Sequence, residues 1–215
     1  MKNILYTRLF SSLIIIPISL IFIIKNSFYF NSFLLFCFLV SMKEWFDLCY
    51  KKIFFYIGNI FIIFSFLNAY WLRNIDDGLF LFLFVIIVCI SSDIGGYTFG
   101  NLFNGPKLTK ISPNKTYAGV IGGYFLSFFS VYIYWIYSTA IFGKNMIFDE
   151  KVLIVVFFIS SISQIGDLIV SYFKRKAKIK DTGSLIPGHG GILDRIDGMI
   201  FAIPFANLIF YFLKF

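Results

Sequence analysis

The chain has 215 residues, of which 59% are hydrophobic and only 14% charged, and it carries a formal net charge of +8. A soluble domain is about 45–50% apolar and about 25% charged, so this composition excludes an ordinary soluble protein and indicates an integral membrane protein. We expect a single membrane domain covering residues 1–215. At about 20 apolar residues per transmembrane helix, six to eight spans would fit.

Seven apolar segments follow one another, at about 8–24, 28–42, 53–72, 79–100, 118–142, 151–173 and 198–213. They lack the period of two that β-barrel strands require, so the predicted fold is all-α, a polytopic transmembrane helical bundle of about seven spans. The first segment follows a charged start, as in a signal peptide. Because apolar sequence resumes directly after Asn26 with no small-residue cleavage site, we interpret it as a retained span. The second and last segments are short enough to be tilted or re-entrant.

The distribution of Lys and Arg predicts the orientation. If all seven segments span, 14 of the 19 basic residues fall on one side of the membrane and five on the other. Cytoplasmic loops carry such an excess, so the richer side is predicted to face the cytoplasm. Without residues 174–197 the count is 8 to 5, in the same direction. These basic residues would also attract anionic lipid headgroups. No nucleic-acid partner is expected.

Two acidic residues lie inside predicted spans, where charge is costly. Asp93 lies in CISSDIGGYTFG and Asp167 in SISQIGDLIVSYFKR. At about 1.5 Å per residue, both carboxylates are expected roughly 10–12 Å below the cytoplasmic surface, where they could face each other across one polar cavity. Embedded acids of this kind are usually functional. The alternative is neutralisation by polar neighbours and a packing role only, but the small Ser and Gly neighbours favour room for water or a ligand.

Residues 101–117, between the fourth and fifth predicted segments, form the first loop of interest. Lysines and hydroxyl groups directly before a glycine-rich helix start make a plausible phosphate cradle. The candidate residues are Ser112, Asn114, Lys115 and Thr116. The loop has no GxxxxGK[ST] pattern, and on its own it is better explained as a plain turn with solvated lysines.

The loop after the sixth segment, residues 174–198, combines three kinds of residue. It begins with a basic cluster, continues through a glycine-rich turn with the chain's only histidine, His189, and ends in Asp194 and Asp197. The basic residues are Lys174, Arg175, Lys176, Lys178 and Lys180. A solvated positive-inside loop explains the cations but not the acids and glycines. Carboxylates at i and i+3 share one helical face and suit Mg²⁺, whereas Lys and Arg suit phosphate oxygens. We therefore expect a phosphorylated substrate and a divalent metal at the membrane surface.

These residues resemble a known family. Dense matches at fixed spacing run through Ser171-x-x-Lys174-Arg175-x4-Lys180-Asp181-x-Gly183-x-x-Ile186-Pro187-Gly188-His189-Gly190-Gly191-x-x-Asp194-Arg195-x-Asp197. This run is similar to the signature of the phosphatidate cytidylyltransferases, or CDP-diacylglycerol synthases. The segments SDIGGYTFG, KLTKISPNKTYAG and QIGDLIVSYFKR resemble further family segments. The active-site segments would therefore be residues 91–123 and 163–198.

The resemblance implies an enzyme that transfers CMP from CTP to phosphatidate, with Mg²⁺ and an optional second cation, in a polar cavity near the cytoplasmic face of a bacterial-type inner membrane. It implies that Asp167, Asp194 and Asp197 hold the metal. Lys180 and His189 would join them as catalytic residues. Substrate contacts would come from Asp93, Ser112, Asn114, Lys115, Thr116, Ser171, Lys174, Arg175 and Arg195. The lipid bilayer is an expected partner, and a homodimer is left open.

The sequence departs from the family pattern at a few places. Asn101 stands where many members have Arg, and Ala118 where they have Glu. The chain is also shorter than usual, by a helix or two on the N-terminal side. These departures bear on nucleotide or lipid affinity and not on the three metal-binding acids.

Three alternatives compete with this interpretation. CDP-alcohol phosphatidyltransferases use DxxDGxxAR with two later aspartates, but here Ala202 is followed by Ile203 and no acid follows Asp197. A related polyprenol or lipid kinase would share the shape but yield no lipid–nucleotide product. A membrane transporter with a basic vestibule would explain the embedded acids. It would also need a polar path to the far side, yet the charges gather at one face.

Overall fold

The computed structural model describes residues 2–49, 53–109, 112, 115–143 and 148–213. Eight helices contain most of these residues. They are α1 (Lys2–Ile24), α2 (Ser27–Cys49), α3 (Ile53–Asn74), α4 (Gly78–Phe103), α5 (Tyr117–Phe142), α6 (Glu150–Lys176), α7 (Leu193–Ile196) and α8 (Met199–Leu213). Each of the seven predicted apolar segments coincides with one of the long helices, so the all-helical prediction is confirmed for the described residues.

Five segments of the described chain are long and apolar enough to cross a membrane. They are Phe54–Asn74, Gly78–Phe103, Tyr117–Ser138, Glu150–Lys176 and Leu193–Leu213. The last of these runs from α7 through α8. In α1 the apolar stretch is shorter, Leu13–Ile24, and the C-terminal part of α2 carries Lys43, Glu44 and Asp47. The chain is therefore a multi-pass membrane protein.

Helix α6 has polar signals at both ends that explain where it begins and ends. The side chain of Asp149 accepts a hydrogen bond from the backbone N–H of Val152 at 3.2 Å and caps the N-terminus. The last turn carries Lys174, Arg175 and Lys176. Cations there interact favourably with the partial negative charge of the helix C-terminus, so the basic cluster also helps to end the helix.

Helices α4 and α5 pack backbone against backbone through glycines. A Cβ on Gly95 would lie 2.3 Å from the carbonyl oxygen of Gly122, and a Cβ on Gly119 would lie 2.7 Å from that of Gly96. Small residues permit this close approach in membrane bundles. The contact sets Asp93 of α4 beside the start of α5, where the first loop ends.

Two apolar clusters support this arrangement. The larger joins α4, α5, α6 and α8 and includes Phe84, Val131 and Val155, all fully buried. The smaller surrounds Trp45 of α2 and Leu193 of α7. Near the larger cluster, the hydroxyl oxygens of Ser92 and Ser160 lie 3.0 Å apart and link α4 to α6. The two clusters hold α4, α6 and α7 in place, and with them the polar residues Asp93, Asp167 and Asp194.

Candidate functional site

A polar cavity of about 280 Å³ lies between α4, α6 and the loop before α5. Asp93 and Asp167 both line it, as their similar depth along α4 and α6 predicted. The remaining lining residues are Ser92, Gly96, Tyr97, Leu108, Ser112, Lys115, Thr116, Gly119, Val120, Gln164 and Leu168. Three of the four residues predicted from the first loop are therefore at this cavity. The fourth, Asn114, lies outside the described residues.

The first loop folds back on itself before α5 begins. The backbone N–H of Leu108 donates to the carbonyl of Lys115 at 2.8 Å, and that of Tyr117 donates to Pro106 at 3.1 Å. The Thr116 hydroxyl oxygen accepts from the backbone N–H of Gly119 at 3.1 Å, as an N-cap residue does. These contacts direct Lys115 toward α6.

Lys115 and Asp167 form an ion pair across the cavity. The Lys115 Nζ and Asp167 Oδ2 atoms lie 2.5 Å apart, and each side chain is 26% exposed. The hydroxyl of Ser171, one turn further along α6, donates to Asp167 Oδ1 at 3.2 Å. The embedded carboxylate is thus neutralised by a cation from a neighbouring element, yet the pair stays accessible from the cavity.

Beside the cavity, Lys174 lies between two acids of the next segment. Its Nζ is 3.0 Å from Asp194 Oδ1 and 3.7 Å from Asp197 Oδ2. All three residues are buried. The predicted sharing of one face by Asp194 and Asp197 is confirmed, because both reach the same ammonium group.

Asp194 also holds the glycine-rich loop. Its Oδ2 accepts hydrogen bonds from the backbone N–H groups of Thr182 at 2.7 Å and Gly191 at 2.9 Å. A Cβ on Gly190, where φ is +87°, would lie 2.6 Å from the same oxygen. Glycine is therefore required at position 190 both by the backbone conformation and by the space that Asp194 needs. Asp197 is less engaged: its Oδ1 accepts from the backbone N–H of Gly198 at 2.9 Å.

Glu44, in α2, is a site residue that the sequence analysis missed. Its carboxylate is buried and accepts three hydrogen bonds from the loop and α7. The donors are the Thr182 hydroxyl at 3.0 Å, the Ile192 N–H at 3.0 Å and the Leu193 N–H at 2.8 Å. The local sequence offered little signal, since Glu44 directly follows Lys43 and precedes Asp47 by one turn, as in the polar end of a helix. The second predicted segment ended at residue 42 and left Glu44 outside the membrane.

His189 lies at the tip of the loop against α1. Its Nδ1 is 2.8 Å from the hydroxyl oxygen of Ser11, which donates to the carbonyl of Pro187 at 3.0 Å. The guanidinium of Arg195 donates to the His189 carbonyl at 3.0 Å. Two other predicted residues, Arg175 and Lys180, are exposed at the end of α6 and in the loop, and they are not among the lining residues of the polar cavity.

Charges of both signs act on one another across these elements. The carboxylates of Asp93 and Asp167 repel each other, whereas Lys115 and Arg195 attract Asp93. Asp197 is likewise repelled by Asp93 and Asp167 and attracted by Lys174. Acids and bases from α4, the loop before α5, α6 and the α7 segment thus influence one another electrostatically.

The carboxylates of the site are suitable ligands for Mg²⁺, although the described residues do not form a complete coordination shell. No three Asp, Glu, His or Cys side chains in the described part of the chain are placed as ligands of one ion. Mg²⁺ is usually bound by one or two carboxylates, with water and substrate phosphates completing its shell. Asp167 and Asp197 supply carboxylates of this kind beside a cavity that can admit phosphates.

Known proteins resemble this chain over most of its length. The model of the cytidylyltransferase family matches residues 49–213. A phosphatidate cytidylyltransferase of Rickettsia bellii is 33% identical over 211 residues, which cover 94% of this chain and 89% of the relative. Those of Haemophilus influenzae and Staphylococcus haemolyticus are 39% and 38% identical over 139 and 141 residues, or 63% and 65% of this chain.

The relatives differ in how much of their own length is matched. The chain spans about half the length of the Haemophilus and Staphylococcus relatives, 47% and 52%. The family match itself covers well over half of this chain and contains α3 to α8 with both loops of the site. The chain therefore belongs to the cytidylyltransferase family.

Proposed function

We propose that this protein transfers CMP from CTP to phosphatidate, forming CDP-diacylglycerol and releasing pyrophosphate. Membership of the cytidylyltransferase family makes it a nucleotidyltransferase, and relatives that cover nearly the whole chain are named phosphatidate cytidylyltransferases. The observation that carries the proposal is the accessible Lys115–Asp167 pair in a polar cavity beside Lys174, Asp194 and Asp197. Such a cavity suits two phosphate-bearing substrates, one of them a lipid.

The reaction needs positioning and charge neutralisation more than a strong base. A phosphatidate phosphate is already anionic near neutral pH, so one of its oxygens can attack the α-phosphorus of CTP directly. The new bond joins this oxygen to the α-phosphorus. The bond from the α-phosphorus to the bridging oxygen of the β-phosphate breaks, and pyrophosphate leaves with that electron pair. The main obstacle is the repulsion between two anions, which preorganised cations reduce.

The basic residues of the site have this role in the proposal. Lys115 lines the cavity and Lys174 lies behind it between two acids, so both are placed to attract phosphate oxygens. Arg195 adds a third cation, and Asp93, Ser112, Thr116 and Ser171 supply polar contacts around them. Arg175, Lys180 and His189 are assigned to phosphates that approach from the loop side, and Asn114 to the first loop.

Asp167, together with the Asp194 and Asp197 pair, would hold Mg²⁺. When bound, the ion would neutralise phosphate charge on the substrate and on the leaving pyrophosphate. In the structure Asp194 has the further task of holding the loop, because its Oδ2 accepts hydrogen bonds from the backbone N–H groups of Thr182 and Gly191, while its Oδ1 accepts from Lys174 of α6. Asp167 and Asp197 are therefore the main ligands in this proposal, with Asp194 fixing the segment that presents Asp197.

The membrane arrangement is part of the same proposal. Residues 1–215 form one domain of seven spans, with residues 91–123 and 163–198 carrying the site at the cytoplasmic face of a bacterial inner membrane. Support comes from the excess of Lys and Arg on that side. CTP would enter from the cytoplasm and phosphatidate from the bilayer, which holds its phosphate at headgroup level. A homodimer is compatible with this arrangement.

Pyrophosphate release by the purified protein in detergent micelles tests the function. The assay contains CTP, Mg²⁺ and phosphatidate, each omitted in turn, and the lipid product is identified by mass spectrometry. Release that requires all three components, with CDP-diacylglycerol as product, is expected. Phosphorylated lipid without pyrophosphate would instead indicate a lipid kinase, and ion or solute flux in sealed liposomes without turnover would indicate a transporter.

A further inference from the structure

A second and larger cavity lies on the other side of the glycine-rich loop. It has a volume of about 460 Å³ and is lined by residues of α1, α2, α3, α4 and α8 and by several residues between 185 and 196. Its walls are apolar, formed by side chains such as Ile18, Phe33, Phe66, Ile86 and Ile203. This volume falls within the range of about 300–1,000 Å³ that is typical of ligand pockets.

Arg195 is the one charged residue among the lining residues of this cavity. Its side chain also attracts Asp93, which lines the polar cavity. The contact of Arg195 with the His189 carbonyl uses a single N–H of a guanidinium that has five. Arg195 therefore lines the apolar cavity within electrostatic reach of Asp93, with donors that can reach an anion.

We propose that the apolar cavity receives an acyl chain of the phosphatidate substrate while Arg195 binds the phosphate of the same lipid. This inference rests on the proposed function and adds the place where the lipid is held. A chain of methylene groups matches the apolar walls, and an anionic headgroup matches Arg195, the one cation among the described lining residues. The triphosphate of CTP matches the smaller, polar cavity instead.

The width of the apolar cavity depends on small side chains in two of its walls. Ser19 of α1 and Ala69 of α3 both line it. Replacing either with a large aromatic residue fills space that an acyl chain would occupy. Ile16, one turn before Ser19, is 56% exposed and is not part of the lining. Tryptophan at position 16 therefore places the same large side chain on α1 without narrowing the cavity.

Chain-length dependence of the reaction tests the proposal. KM for dioleoyl phosphatidate and for dihexanoyl phosphatidate is measured with Ser19→Trp, Ala69→Phe and the control Ile16→Trp. The two cavity variants are expected to raise KM for the long-chain lipid about tenfold, the effect of about 1.4 kcal/mol of overpacking. KM for CTP and for the short-chain lipid should stay within about twofold, and Ile16→Trp should match the unmodified protein. Equal effects on both lipids, or none on either, would overturn the proposal.

A binding measurement keeps the proposal testable even if these variants fold poorly or turnover is absent. A phosphatidate with a photoreactive diazirine near the end of one acyl chain is crosslinked to the unmodified protein, and the labelled peptides are identified by mass spectrometry. Labelling of the peptides that contain Ser19 or Ala69 is expected, with competition by dioleoyl phosphatidate and not by dioleoyl phosphatidylcholine. Competition by both lipids would show a general bilayer site, and labelling elsewhere would exclude the cavity. Specific labelling without pyrophosphate release would reject the proposed function and leave the lipid site standing.

Discussion

The carboxylate of Glu44 in α2 accepts a hydrogen bond of 2.8 Å from the backbone N–H of Leu193, the first residue of α7. The Ile192 N–H and the Thr182 hydroxyl donate to the same carboxylate. Space for it is left by Gly183 and Gly191, since a Cβ on either would lie 2.7 Å or less from a Glu44 oxygen. An acid from the first part of the chain thus fixes the glycine-rich loop at Thr182 and again at the start of α7.

Replacing Glu44 with Gln is expected to destabilise the protein and slow turnover. The amide has one acceptor oxygen for three donors and brings an NH₂ group against at least one of them. Charge-assisted hydrogen bonds of this kind are worth about 1.5–3 kcal/mol each, so a loss of about 2–4 kcal/mol is expected. Thermal unfolding in detergent measures it. Asp47→Asn is the matched control, since Asp47 lies one turn later in α2 and is exposed; equal losses in both variants would show that Glu44 has no special role.

Comparison of Asp194→Asn with Asp197→Asn is expected to distinguish the role of Asp194 in holding the loop from the role of both acids in metal binding. Both should reduce pyrophosphate release at least about a hundredfold if the acids act at the site. Only Asp194→Asn should raise hydrogen exchange at the amides of Thr182 and Gly191, because these amides donate to Asp194. If exchange rises equally in both variants, Asp194 is not the residue that holds the loop.

The Lys115–Asp167 pair predicts a non-additive mutant cycle. Lys115→Met leaves an embedded carboxylate without its cation and should cost about 1–2 kcal/mol, less than a fully buried pair because both side chains are 26% exposed. Asp167→Asn in the same chain should restore part of that stability while activity stays lost. Additive losses in unfolding free energy would show that the two side chains are not coupled.

Neighbouring glycines of α4 should respond in opposite ways to alanine. At Gly95 the new methyl would lie 2.3 Å from the Gly122 carbonyl and push α4 away from α5, at a cost of about 1–3 kcal/mol. At Gly96 the nearest atom would be 3.8 Å away, so Ala should be neutral or stabilise by up to about 1 kcal/mol through helix propensity. Thermal unfolding compares the melting temperatures of the two variants. A similar melting temperature for both would contradict the close packing of α4 and α5.

The sequence predicted those features that depend on local pattern. Apolar length located the long helices, and equal depth from the charged ends of two spans placed Asp93 and Asp167 at one cavity. Spacing of i and i+3 placed Asp194 and Asp197 on one face. Each inference used residues close together in the chain, or a distance along a helix axis that the helical rise fixes.

Composition alone could not predict which of the consecutive residues Lys174, Arg175 and Lys176 is buried. Lys174 is buried between two acids, whereas Arg175 and Lys176 are exposed. The helical period contains the answer, because Lys174 follows Asp167 by seven residues and so shares its face. The partners of Glu44 were harder to predict, since they depend on how α2 packs against a loop far along the chain.

The distance between Glu44 and its partners also has a consequence for biosynthesis. Each of its described partners lies at least 138 positions later in the chain, whereas Asp167 follows its cation Lys115 and both Asp194 and Asp197 follow Lys174. A ribosome that makes the chain from the N-terminus supplies those three acids with a counterion already present. Glu44 has none of these partners until the loop that contains Thr182, Ile192 and Leu193 has been synthesised. We therefore expect α2 to reach its final packing only after this loop has left the ribosome.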